Sequence, residues 1–217
     1  MSFKDRIDAG RQLGQLLIKY KDQNCVVLAL PRGGVVIGAE IAKCLHAPLG
    51  LIFAHKLGHP YQPEYAIGAV SESGHLVGNA GELQAVGKNW IENEKKHQME
   101  EIKRRRLLYL KGKKEIDLKD KVAIIVDDGI ATGLTLEVGI LELQDRHPLK
   151  IVAAVPVSPK GRASFFKSKI DDFVSIETPE DYRYLGAVGA YFQIFDQVED
   201  DEVIRILEES SKVSGVK

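Results

Sequence analysis

The run Val122-Ala123-Ile124-Ile125-Val126 limits what this chain can fold into more than any other feature. A strand that is apolar at every position has no polar side to turn to water. It must be covered on both faces, as in a parallel sheet packed between helices. The run ends in Asp127 and Asp128 and passes through Gly129-Ile130-Ala131-Thr132-Gly133 into Leu134-Thr135 and an apolar-periodic segment reaching about residue 146. That order reads as buried strand, acidic strand end, small loop and helix start. Backbone N–H groups of such a loop, with the dipole of the helix behind it, form a cradle for a phosphate. The hydroxyls of Thr132 and Thr135 can donate to the same oxygens. Two carboxylates repel a phosphate but accept well from vicinal hydroxyls, so the fitting ligand carries a sugar diol beside its phosphate. Helix capping by Asp128 would account for one acid, leaving the second acid and the Thr-Gly-Leu-Thr tail unexplained.

The alternation of strand and helix runs through the chain. Residues 3–21 carry Ile7, Leu13, Leu16, Leu17 and Tyr20 at helical spacing. Val26 to Leu30 reads as a buried strand closed by Pro31-Arg32-Gly33-Gly34, and Val35 to Leu45 as a helix. Gly50 to Lys56 reads as a second strand, and Ile67–Ser73 with His75–Gly78 as a hairpin. Residues 82–110 form a long polar helix in this reading. Strands follow at Lys150–Val157 and Phe173–Glu177 around a short helix at 160–168, with a last helix over about 201–211. Tyr191 to Asp196 alternates like a further strand. The expected fold is α/β, a mainly parallel twisted sheet with helices on both faces. Ligands of such sheets lie outside the carboxyl ends of the strands, near a topological switch point. The Pro-Arg-Gly-Gly and Asp-Asp-Gly loops can therefore meet over one ligand, with Arg32 offering a fork of donors to phosphate oxygens.

A dinucleotide fingerprint requires a third glycine, and a P-loop requires a lysine where Leu134 stands. The segment instead resembles the phosphoribosyl-diphosphate motif of the type I phosphoribosyltransferases, an apolar run and two acids before a loop ending Thr-Gly-x-Thr. Arg32-Gly33-Gly34 resembles the pyrophosphate loop of the same family, closest to that of its xanthine-guanine members. Lys56-Leu57-Gly58, Pro63-Glu64 and Ile67-Gly68-Ala69-Val70 match a subset of hypothetical members, although His55 stands where arginine is usual.

This resemblance, from residue 3 to about residue 204, implies a single domain over 1–217. A flap or insert would cover about 58–115, and a C-terminal extension about 179–217 would form a small hood. The implied substrate is 5-phosphoribosyl 1-diphosphate with Mg²⁺ carried on it, reaching Asp127 or Asp128 through water and taking no direct protein ligand. Gly129, Ile130, Ala131, Thr132, Gly133, Leu134 and Thr135 would hold the 5-phosphate, and Asp127 and Asp128 the ribose diol. Arg32, Gly33, Gly34 and Lys56 would stabilise the departing pyrophosphate. Related enzymes turn a backbone N–H toward the ligand through a cis or strained peptide, which here would join Pro31 to Arg32. Members acting on 6-oxopurines carry an acid in the loop where this chain has Ala131, so hypoxanthine and guanine are not the expected acceptors. Glu64 and Asp196 are the candidates for a base.

The resemblance allows a homodimer. It also allows a second reading on the same fold, a non-catalytic sensor of phosphoribosyl diphosphate that binds RNA through residues 95–114 of the basic stretch 88–114. Within that stretch Glu92/Lys96, Glu100/Arg104 and Glu101/Arg105 are spaced to pair along one solvated helix. The net charge of −1 supplies no bulk attraction for nucleic acid or an anionic membrane. Apolar runs are too short to span a bilayer and the charged N-terminus is unlike a signal peptide, so the expected location is cytoplasmic. Cys25 and Cys44 adjoin apolar segments and form no metal-type pair, and His55 and His59 on a strand end would not converge on a metal.

Overall fold

A computed structural model describes residues 2–112 and 115–213. In chain order the elements are α1 (Arg6–Leu16), β1 (Cys25–Ala29), α2 (Gly33–Leu45), β2 (Leu49–Leu51), β3 (Ala54–His59), β4 (Gln62–Ser71) and β5 (Leu76–Gly78). Then come α3 (Ala80–Val86), α4 (Lys88–Leu110), β6 (Val122–Val126), α5 (Leu134–Gln144), β7 (Lys150–Val157), α6 (Lys160–Lys167), β8 (Asp172–Glu177) and α7 (Asp200–Val213). The main sheet has the order β2-β1-β6-β7-β8 and every neighbouring pair is parallel.

Period-two geometry divides each apolar strand between two cores. Val27, Ile124, Val126, Val152 and Ala154 face α1 and α2, where Leu13, Leu17, Ile37 and Ile41 cover them. Val26, Leu28, Ala123, Ile125, Ala153 and Val155 face α5 and α6, under Leu136, Ile140, Leu143 and Phe166. The continuous apolar run at 122–126 is thus buried on both sides, as its composition requires. From β1 the chain winds one way to β2 and later the other way through β6, β7 and β8. The switch point lies between β1 and β6, in register from Cys25↔Val122 to Ala29↔Val126.

Four expectations are corrected. The apolar run at 50–56 belongs to two sheets: β2 ends in the main sheet, while β3 pairs antiparallel with β4, and β4 with β5, in a separate three-stranded sheet. Ile52 still donates to Ala29, but the carbonyl of Phe53 already accepts from Glu72, so the handover falls between them. The polar helix breaks at Gly87, whose φ of +83° no helix interior accommodates. Residues 191–196 form no strand, only a single bridge from Phe192 to Phe3. Finally, Ile7 and Leu16 lie on the exposed side of α1 rather than in its core stripe.

Candidate active site at the β1–β6 switch point

Because β1 and β6 are hydrogen-bonded neighbours, their loops leave the sheet side by side. Leu30 donates to Val126 at 2.9 Å, carrying the pairing to the last residue before the loop. The Pro31–Arg32 peptide is cis, as the family resemblance implied. The two glycines that follow let the loops touch. A Cβ on Gly33 would run into the Asp128 carboxylate, and one on Gly34 would sit 2.8 Å from the Val126 carbonyl.

The acidic pair is held from several sides. Asp127 Oδ1 accepts from the Asp128 N–H at 2.8 Å, and the Thr135 hydroxyl donates to the same carboxylate. Burial and then the neighbouring Asp128 hold the Asp127 carboxyl well above the usual carboxylate range. Burial also pushes Asp128 up, while Arg6 pulls it down. Arg6 gives Asp128 Oδ2 two bonds, Nε at 2.9 Å and Nη2 at 2.8 Å. Its Nη1 reaches the Asp196 carbonyl at 2.7 Å, and its guanidinium lies 3.7 Å over the Phe195 ring.

The phosphate-sized loop is anchored at both ends. The Ile130 N–H donates to Val157 on β7 at 2.8 Å and its side chain is buried, so Ile130 fixes the loop rather than facing a ligand. Gly129 packs so closely that a Cβ would lie 2.5 Å from Val188. Gly133, with φ +77°, turns the chain into α5 and is backed by Arg162 and Phe166. Ala131 and Thr132 are exposed, and Leu134 and Thr135 open the first turn of α5. N–H groups in that turn have no acceptor within the helix and are available to an anion.

The remaining expected residues are dispersed. Arg32 turns its guanidinium to the start of α7, 3.3 Å from Glu199 and 3.6 Å from Asp200. Lys56 and Glu64 sit together on the second sheet, 3.7 Å apart, with Glu64 almost fully exposed. Neither shares a contact with the acidic pair among the described residues. Asp196 reaches the site through its carbonyl. His55 lies on β3, where burial lowers its pKa. Among the described residues no group of three or more His, Cys, Asp or Glu is arranged to hold a metal ion, and no helix is long and apolar enough to cross a membrane. The three arginines of the basic stretch are engaged. Glu101 takes Arg105 at i,i+4 and also Arg104, while Arg106 binds Glu72 and Glu115.

Sequence reasoning missed Arg6, Glu199, Asp200 and Val188. Each meets the loops only through the tertiary fold, and no local spacing marks any of them.

A family model described as the phosphoribosyl transferase domain matches residues 5–189. Two Mycobacterium tuberculosis proteins, MT0597 of strain CDC 1551 and Rv0571c of strain H37Rv, are each named for a proposed phosphoribosyl transferase activity. Each is 39% identical to this chain over 215 residues, 97% of its length. The chain spans about half the length of these curated relatives, 47% of each. The crystal structure of TT1426 from Thermus thermophilus superposes with a TM-score of 0.78 at 34% identity, covering 96% of this chain and 99% of that one. With a match of this extent, and a parallel α/β sheet that agrees with it, the chain belongs to the phosphoribosyltransferase domain family in its type I form.

Proposed function

We propose that this domain transfers the phosphoribosyl group of 5-phosphoribosyl 1-diphosphate to a nucleobase-like or other small acceptor, in the cytoplasm, releasing pyrophosphate. The observation that carries the proposal is the meeting of the Arg32-Gly33-Gly34 loop with the Asp127–Thr135 loop at the switch point. The second loop supplies N–H donors for the 5-phosphate, and Asp127 and Asp128 supply acceptors for the ribose diol. The first brings two side-chain-free residues up to the acidic pair, where the diphosphate would lie, and carries an arginine now turned to Glu199 and Asp200.

In the transfer, the bond from ribose C1 to the diphosphate oxygen breaks with its electron pair leaving on pyrophosphate. A bond from C1 to the acceptor nucleophile forms, and the acceptor gives up a proton. Positive charge gathers on the ribose ring between these events. Fixed carboxylates at the diol and fixed N–H donors at the phosphate stabilise that arrangement without reorganising. The oxygen-rich pair Asp127 and Asp128 fits a hard cation that brings its own phosphates and waters, so Mg²⁺ would be held there through water. When bound, it would offset charge on the diphosphate. Arg32 would move from Glu199 and Asp200 to the leaving group, and Lys56 would join it from the second sheet.

Ala131 offers no proton acceptor within the loop. We therefore expect an acceptor that ionises unaided, with Glu64 or Asp196 as the base otherwise. A screen of nucleobases with labelled donor should find hypoxanthine and guanine poor acceptors; turnover of either at the rate of the best acceptor would refute that expectation. Asp127→Asn with Asp128→Asn should lower donor affinity at least about a hundredfold while the circular dichroism spectrum is kept. Undiminished binding in calorimetry would remove the ribose assignment. The engagement of Arg104, Arg105 and Arg106 with acidic partners supports the enzyme over an RNA-binding sensor, and a salt-dependent RNA titration separates the two.

A further inference from the structure

Arg6 lies outside every motif of the sequence. It is the first residue of α1, a position normally open to water, yet its side chain is only 11% exposed. One planar fork meets three groups on two separate parts of the fold: the Asp128 carboxylate on one side, and the Asp196 carbonyl and the face of Phe195 on the other. A guanidinium holds such a set rigidly because its donors are fixed in one plane. Both bonds to the carboxylate fall on Oδ2, so Arg6 uses one oxygen and fixes the direction of the other. This matters because the terminal torsion of an aspartate is otherwise broad. Gly33 leaves the room for the contact: a Cβ there would strike Asp128 and stand 2.9 Å from Arg6 Nε.

We propose that Arg6 is a positioning residue of the ribose subsite, holding Asp128 so that its second carboxylate oxygen accepts from a ribose hydroxyl. Through Asp196 and Phe195 it also ties that grip to the segment after β8. The inference rests on the phosphoribosyl reading above.

The test compares binding of ribose 5-phosphate with its 2-deoxy and 3-deoxy analogues, by calorimetry on the full chain and on its Arg6→Met and Arg6→Lys variants. In the wild type at least one missing hydroxyl should weaken binding about tenfold, the worth of one hydrogen bond to a charged acceptor. In Arg6→Met that preference should shrink to within about twofold, while affinity for the deoxy sugars, set by the phosphate, stays within about twofold. Arg6→Lys keeps one cation and loses the fork, and should restore part of the preference. Should melting show Arg6→Met to be unfolded, Arg6→Lys carries the test, with a fall of at least about threefold expected. A full wild-type preference surviving in the folded variants overturns the inference alone. A wild type that binds all three sugars alike overturns the ribose reading, and the inference with it.

Discussion

Asp127 is pulled in two directions. The proposed ribose contact wants its carboxylate ionised, but burial and the adjacent Asp128 both favour the protonated form. A folded-state pKa above the unfolded value of about 3.9 means that the folded chain holds this proton more tightly. Stability tied to the group is therefore greatest below the unfolded value and is lost as pH rises through the folded one. Asp127→Asn removes that loss. The variant should melt above the wild type at pH 7, the gap narrowing toward about pH 4, while binding of the donor is weakened. Equal melting at both values would show that the pair bears no such load. Gly133→Ala should cost about 1–2 kcal/mol by denaturant titration, since a Cβ is disfavoured at its left-handed φ and would press on Arg162 and Phe166. Both residues were legible beforehand, because the acid pair and the loop glycines are local to one segment. Arg6 was not, since its meaning depends on residues 128, 195 and 196 closing over it.

At the level of elements, the N-terminus of α7 restrains Arg32 in the loop after β1. Glu199 is exposed and holds Arg32 by one bond of 3.3 Å, whereas Asp200 is also tied to Tyr109 at 2.5 Å. Glu199→Gln should therefore weaken the hold on Arg32, leaving only the longer 3.6 Å contact to Asp200, without loosening the helix. Exposed ion pairs are worth about 0.2–1 kcal/mol, so donor affinity should rise by up to about fivefold, less at high salt. An unchanged affinity at low salt would mean that Arg32 does not leave Glu199 for the ligand. Most elements were readable from periodicity, and the exceptions share a cause. The run at 50–56 is apolar throughout because both of its halves are buried, by different partners, and composition does not record a change of partner. The alternation at 191–196 paired Phe192 with Ile194, but only Phe192 is buried, against Phe3, while Ile194 is exposed, so the pattern marks no strand face.

For the whole molecule, strand order was the part that sequence could not supply. Alternating strands and helices announced a parallel sheet, but nothing local says that β6 returns to lie against β1 rather than beyond β2. That return makes a site of the two loops. It also places them on the two strands at the middle of the chain's most protected layer, since β6 and β1 each have a neighbour on either side. Amide protons of Val26–Leu30 and Val122–Val126 should consequently exchange with deuterium only when the entire protein opens, while those of β4 and β5 exchange sooner. Similar uptake in both sheets would argue against this. If the central amides do behave so, no partial unfolding can dismantle the donor cradle and spare the rest. The binding competence of a preparation would then report its folded fraction directly, and a bound donor would slow the exchange of the entire core.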